Sequence, residues 1–288
     1  MSLEGFRRQR DFFVGIDSDG CAFDTMEVKH KECFIPNIVR FYDLAAVSKY
    51  AREAAEFINL YSQWRGINRF PGLIMALDLL RERREVAGRG FEVPHLPKTR
   101  EWIARETKHG NPALAKAVEE TGDPELARLL EWSKAVNESV ERIVKRVPPF
   151  PFVGESLDKL APSADLVVCS ATPGEALTRE WQEHGIDRCI SRICGQEVGS
   201  KKEILVVARS YPTRQSLMLG DAPGDLEAAR ANNVLFFPVI PGREEESWRR
   251  FHDEGIARFL DRTFAGDYEA ELVREFETSL PATPPWSV

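Results

Sequence analysis

The chain is poor in cysteine: five residues in 288, at positions 21, 33, 169, 189 and 194. No CxxC pair occurs, and no cysteine has a histidine at zinc-finger spacing, so neither a zinc knuckle nor a disulfide framework can be read from the spacing. Reduced thiols in a cytoplasmic protein are the expectation. Glycine and proline show no enrichment of the fibrous or disordered kind, 19 and 18, together 37 of 288, which excludes a collagen-like or low-complexity chain. A basic excess is missing too. Lys plus Arg number 39 against 46 Asp plus Glu, for a net charge of −7 spread along the chain. Without a basic stripe, binding to a nucleic acid backbone is not expected. Long apolar runs are absent: Val234–Ile240, among the longest, is far short of the roughly 20 residues that cross a bilayer. The opening MSLEGFRRQRDFF lacks the apolar core of a signal peptide, so no membrane partner is expected.

What is present is a globular composition, 43% hydrophobic, at a length that suits one or two domains of about 150 residues and needs no staple to hold its core. Three short apolar runs end in small or acidic residues: Phe12–Ile16 before Asp17, Leu166–Cys169 before Ser170, and Leu217–Leu219 before Gly220-Asp221. They predict strands buried on both faces of a parallel sheet, and Val234–Phe237 predicts a fourth. Helical stretches over Gly174–His184 and Gly224–Asn232 alternate with them, as in βαβ units. The stretch 25–147 differs. It shows helical spacing without a strand, as in Ala45–Trp64, Leu73–Glu85, Pro112–Glu120 and Pro124–Val147, with Asp123-Pro124 as a helix start. Pro148-Pro149-Phe150-Pro151 closes it, since no helix continues through it. The expected organisation is an α/β core of residues 1–24 and 148–265, an inserted helical domain 25–147, and a C-terminal helix and tail 266–288. The Pro281–Trp286 end reads as a loose or surface-packed tail.

Ligands of open parallel sheets bind at the carboxyl ends of the strands, which singles out the residues just after each run. Singly these are ordinary. Asp17-Ser-Asp19-Gly20 could be a solvated turn, Ser170-Ala-Thr172 a helix cap, and Gly220-Asp221-Ala-Pro-Gly-Asp225 a turn with an N-cap. The ordered set is not ordinary: DxDG after a strand, a helical insertion, a strand ending in Ser170, Lys201-Lys202 before a helix, and a strand ending in GDxxxD. From Phe12 to Pro241 this arrangement resembles the haloacid dehalogenase-like superfamily, in its phosphatase branch. The resemblance implies a Rossmann-like parallel sheet with helices on both faces and an all-helical cap inserted after the first motif.

The residue types suit phosphoryl transfer. A carboxylate nucleophile divides hydrolysis into two displacements, clustered aspartates suit Mg²⁺, and a hydroxyl with an ammonium can hold phosphoryl oxygens. By resemblance, Asp17 is the nucleophile and a metal ligand. Asp19 is the general acid/base, its backbone carbonyl a second ligand. Ser170 and Lys201 hold the phosphoryl group, with Lys202 a register alternative to Lys201. Asp221 is the principal acidic ligand, and Asp225 supports it through the metal shell or a helix N-terminus. An aspartate at 19 favours phosphate esters, because the dehalogenase branch lacks one there. Two departures stand out: Cys21 where threonine or valine is usual, read as packing rather than a reactive thiol, and an insertion longer than the usual cap of this type. Within the insertion, Arg65 and Arg69 either occupy a solvated loop or read a polar or anionic substrate group. Lys29 and His30 either line an entrance or lie at the surface. The function implied is Mg²⁺-dependent hydrolysis of a small phosphorylated metabolite, a sugar phosphate among the candidates. A phosphomutase and a non-catalytic binding or regulatory protein are the alternatives. Oligomeric state is not legible.

Overall fold

The computed structural model describes residues 5–287. Its five strands are β1 (Phe12–Ile16), β2 (Ala164–Cys169), β3 (Arg192–Cys194), β4 (Ser216–Gly220) and β5 (Leu235–Pro238). They form one all-parallel sheet in the order β3-β2-β1-β4-β5. β1 is central, with Val14 opposite Leu166 of β2 and Leu217 of β4. The chain builds outward from β1 on one side and then restarts at β4 on the other. Such a reversal opens a crevice at the carboxyl ends of the middle strands.

The apolar runs are continuous because both faces of the sheet are covered. Phe12, Val14, Ile16, Leu166, Val168, Leu217, Leu219 and Phe237 enter one layer, with Trp181, Trp248, Phe251 and Phe259 from flanking helices. Phe13, Val167, Cys169, Met218 and Phe236 alternate into the other, with Leu205, Ala229 and Phe276. This is an α/β fold with a Rossmann-like parallel sheet.

The chain divides into two compact units, residues up to 26 with 146–281, and 27–145 with the segment from 282. Every regular element described between 27 and 145 is helical. In that unit the helix Ser48–Leu60 buries Ala51, Ala54, Ala55 and Ile58, one stripe at helical spacing. Arg69–Arg81 answers with Phe70, Leu73, Leu77 and Leu80. Asp123 caps the helix Pro124–Ile143 by accepting the Glu125 and Leu126 N–H groups. The segment 266–288 is shared between the units. The helix Asp267–Ser279 belongs with the sheet, where Glu269 Oε1 accepts the Phe236 N–H at 2.9 Å. Trp286 belongs with the helical unit, its ring 5.8 Å from that of Phe57 and 4.3 Å from the Arg83 guanidinium carbon.

β3 and the helix Pro97–Arg105 are among the elements that escape the sequence pattern. β3 is three residues long with half-buried Arg192 and Ile193, too short for a period. The helix Pro97–Arg105 follows a left-handed Leu96 and carries only Thr99 and Trp102 into the core.

A buried carboxylate fastens the N-terminal segment to the sheet. Asp165 Oδ2 accepts the Gln9 and Arg10 N–H groups, each at 2.9 Å, and the Tyr211 hydroxyl at 2.6 Å. Removing the acceptor strands three donors, each at a cost of about 1 kcal/mol or more. Asp165→Ala is expected to lower unfolding free energy by about 3 kcal/mol in a urea titration, and Tyr211→Phe by about 1; equal effects would show that the backbone bonds to Asp165 contribute nothing.

Candidate active site

β1 delivers Asp17 directly: the ladder runs one residue past the strand, with Asp17 N–H donating to Leu219 O at 3.0 Å. The chain then turns tightly. Ser18 O accepts the N–H groups of Cys21, Ala22 and Phe23, and Gly20 N–H donates to Phe23 O at 2.8 Å. Gly20 sits at φ +80°, where a side chain would be strained. The turn presents the Asp17 carboxylate and the half-buried Asp19 from one short segment.

β4 delivers the second group. Asp221 follows Gly220, and Asp225 stands in the first turn of the helix Pro223–Ala231. Asp225 Oδ2 accepts the N–H groups of Asp221 (3.2 Å) and Ala222 (3.1 Å), satisfying donors that the helix start leaves open. A Cβ on Gly220 would lie 2.4 Å from Asp225 Cβ, so only glycine lets this carboxylate approach the strand end.

Lys201 joins the two. Its ammonium lies 2.6 Å from Asp17 Oδ2 and 2.5 Å from Asp225 Oδ1. It begins a short helix whose N-cap, Ser200, makes a reciprocal capping box with Glu203. Lys202, one residue on, is exposed, so the geometry selects Lys201 between the two.

Carboxylate oxygens of Asp17, Asp221 and Asp225 all lie within 4.8 Å of one another, and all three residues are buried. With one ammonium among three carboxylates, the group holds a surplus of negative charge in a desolvated place, which is costly unless a cation offsets it. Burial pushes the Asp17 carboxyl well above the usual range; Lys201 pulls it down, and Asp225 and Asp221 push it up again. Burial would lower the Lys201 ammonium, but the same carboxylates outweigh it and hold it high. A buried, all-oxygen, anionic donor set fits a hard divalent cation such as Mg²⁺.

The other sequence-selected residues fall as follows. Asp19 Oδ2 accepts the Thr172 hydroxyl at 2.6 Å, and Oδ1 accepts the Thr25 hydroxyl. Ser170 follows β2, buried, with its Oγ accepting the Thr172 N–H at 3.1 Å. Thr25 and Thr172 were not singled out as site residues by motif. Thr172 lies two residues after Ser170, which is a signal; Thr25 reads as an ordinary helix start. Cys21 is fully buried, and burial followed by the nearby Asp221 and Asp17 charges raises its thiol. In the helical unit, Arg65 is buried with Nη1 on Leu60 O at 2.8 Å, at the end of Ser48–Leu60. Arg69 has neutral partners: Ser133 O (3.2 Å), Ser133 Oγ (3.1 Å) and Asn137 Oδ1 (2.7 Å), with the Phe34 ring 4.8 Å away. Burial pushes its guanidinium down to about 10. His30 stacks on the same Phe34 ring, with centroids 4.7 Å apart.

Because Gly220 admits Asp225, Gly220→Ala is expected to displace that carboxylate and lower stability by about 1–3 kcal/mol in a urea titration. Parental stability in Gly220→Ala would contradict this.

No protein-family model and no curated protein matches the chain. Among solved structures, a HAD-superfamily hydrolase (subfamily IA, variant 1) from Geobacter sulfurreducens is 16% identical over 83% of this chain and 90% of its own, at TM-score 0.40. A protein described as a predicted phosphoglycolate phosphatase from Haemophilus somnus is 14% identical over 81% and 86%, at 0.45. The L-2-haloacid dehalogenase of Xanthobacter autotrophicus is 15% identical over 89% and 85%, at 0.37. What stands on this chain's own residues is the order of the motifs and their placement: Asp17, Ser170 and Asp221 directly follow β1, β2 and β4, with Lys201 on Asp17. The chain has an α/β fold with a parallel sheet, and the order and placement of its motifs keep the resemblance to the haloacid dehalogenase-like superfamily.

Proposed function

We propose that the α/β unit hydrolyses a small phosphorylated metabolite through a phosphoryl group carried on Asp17. The observation that supports this most is the Lys201 ammonium, seated between Asp17 and Asp225 with Asp221 in the same buried cluster. A lone buried carboxylate repels a phosphate dianion. This one has a fixed ammonium beside it and a donor set for a second cation, which is what an anionic nucleophile facing an anionic substrate requires.

In the first step an Asp17 carboxylate oxygen bonds to phosphorus as the ester P–O bond breaks, and Asp19 gives its proton to the departing alkoxide. In the second step Asp19, now ionised, takes a proton from water. The resulting hydroxide attacks phosphorus, the acyl phosphate bond breaks, and inorganic phosphate leaves with Asp17 restored. Thr25 and Thr172 orient the Asp19 carboxyl, and Ser170 and Lys201 hold phosphoryl oxygens. Asp17, Asp221 and the Asp19 carbonyl would hold Mg²⁺, with Asp225 supporting Asp221 and Lys201 from behind. Bound there, the ion would neutralise charge developing on the transferred group.

In the helical unit, which this reading treats as the cap, Arg65 and Arg69 are proposed to bind a polar or anionic group of the substrate remote from phosphorus. Support for Arg69 is its half-buried guanidinium among neutral acceptors.

A panel of metabolite phosphates with Mg²⁺ tests the reading. Phosphate release is expected for at least one, abolished by EDTA and restored by Mg²⁺, and lost in folded Asp17→Asn. Arg69→Ala should raise KM roughly tenfold or more for the best metabolite, the scale of one charge-assisted bond, and leave a simple aryl phosphate unchanged. Isomerised sugar phosphate in place of free phosphate would move the reading to a mutase. Full activity in Asp17→Asn would end it.

A further inference from the structure

Four tryptophans of this chain are buried to 4% exposure or less, and they divide into two kinds. In the helical unit, the indole N–H groups of Trp102 and Trp132 have no hydrogen-bond partner among the described residues; these rings serve as packing. In the α/β unit, both indoles are aimed at one seven-residue turn. Trp181 Nε1 donates to Ser18 Oγ at 3.0 Å, and Trp248 Nε1 donates to Cys21 O at 2.7 Å. Trp181 comes from the helix Gly174–Glu183 after β2, and Trp248 from the helix Glu244–Arg250 after β5. Both belong to the apolar layer on the Phe12, Val14 and Ile16 face of the sheet.

The turn they reach is residues 17–23. Its internal bonds converge on Ser18 O, which makes it a stiff unit but does not fix how that unit is rotated at the end of β1. Its other ties fall mainly on the two carboxyl residues: Asp17 N–H on Leu219 O, Lys201 on the Asp17 carboxylate, and the Thr25 and Thr172 hydroxyls on the Asp19 carboxylate. Between and beyond them, Ala22 O accepts the Phe150 N–H at 2.9 Å, and Ser18 Oγ also donates to Glu180 at 3.3 Å. The indoles grip opposite parts of it, a side chain just after Asp17 and a backbone carbonyl two residues past Asp19. Phenylalanine would fill most of each space; only the N–H supplies direction.

We propose that Trp181 and Trp248 are positioning residues, whose paired indole N–H groups set the orientation of the turn that carries Asp17 and Asp19. This rests on the reading of Asp17 as nucleophile and Asp19 as acid/base. Reaction through the turn requires its two carboxyls to be aligned together with one phosphorus atom, and a misplacement of about 1 Å costs up to a hundredfold in rate. Substrate affinity depends much less on that alignment. Loss of either N–H therefore acts on kcat.

The test uses Trp248→Phe and Trp181→Phe in the full chain, with Trp132→Phe as a control for lost aromatic bulk. Each tether variant is expected to lower kcat roughly tenfold with KM within about twofold, and to speed amide hydrogen exchange of Cys21, Ala22 and Phe23 by roughly tenfold. Trp132→Phe should leave both readouts at parental values per folded molecule. If Trp248→Phe does not fold, Trp181→Phe, on a different helix, carries the test. Parental exchange at the turn in a tether variant overturns the proposal, and so does an equal kcat loss in Trp132→Phe. A parent chain that releases no phosphate defeats the phosphatase reading instead, and the exchange rates still decide whether the indoles hold the turn.

Discussion

Three buried carboxylates, Asp17, Asp221 and Asp225, share a single ammonium, Lys201. Most of the α/β unit can be understood as what it takes to hold that arrangement. Like charges in a desolvated place repel strongly, and a chain selected for stability alone would replace them with apolar residues. Here they are held by backbone. Asp17 is locked by the β1–β4 ladder, Asp225 by two N–H groups at a helix start, and Lys201 by a capped helix. Gly220 is the permissive element, because any side chain there would strike Asp225.

The parallel sheet makes this possible. Strands buried on both faces can end abruptly in polar residues, since the apolar layers below hold the strand ends in place. β1 and β4 are neighbours in register, so their next residues, Asp17 and Asp221, emerge side by side. The helices after the strands contribute a second service: Asp225 satisfies the opening amides of its helix while it faces Lys201, and the indoles of Trp181 and Trp248 come up from the same layer to the turn after β1. Stability and placement of the carboxylate cluster are thus supplied by the same contacts.

Much of this was legible in the sequence, for physical reasons. β1, β2, β4 and β5 are continuous apolar runs because both their faces are covered, and Asp17, Ser170 and Asp221 declare themselves as polar residues at the ends of such runs. Asp225 follows at helix-start spacing. β3 was not legible, because an edge strand of three residues with partly exposed Arg192 and Ile193 has no period. Thr25 was missed because a threonine at a helix start looks like any other, and its bond to Asp19 depends on the turn between them. The indole tethers are further from reach: Trp248 and Cys21 are 227 residues apart in sequence, and a buried tryptophan reads as core. The choice between Lys201 and Lys202 needed the helix phase, since neighbouring residues on a helix point about 100° apart. Trp286, in a proline-rich end without periodicity, gave no sign that it would pack on Phe57 and Arg83.

The central claim is that Asp17 itself carries the phosphoryl group. An acyl phosphate is reduced by borohydride to the alcohol, so an aspartate phosphorylated during turnover becomes homoserine. Protein quenched while hydrolysing its best substrate, reduced, digested and examined by peptide mass should contain homoserine at position 17, and Asp19 in the same peptide should be unchanged. Homoserine at another position, or an unmodified Asp17 at every quench time during turnover in Asp19→Asn, where breakdown of the intermediate is slowed, would contradict the account.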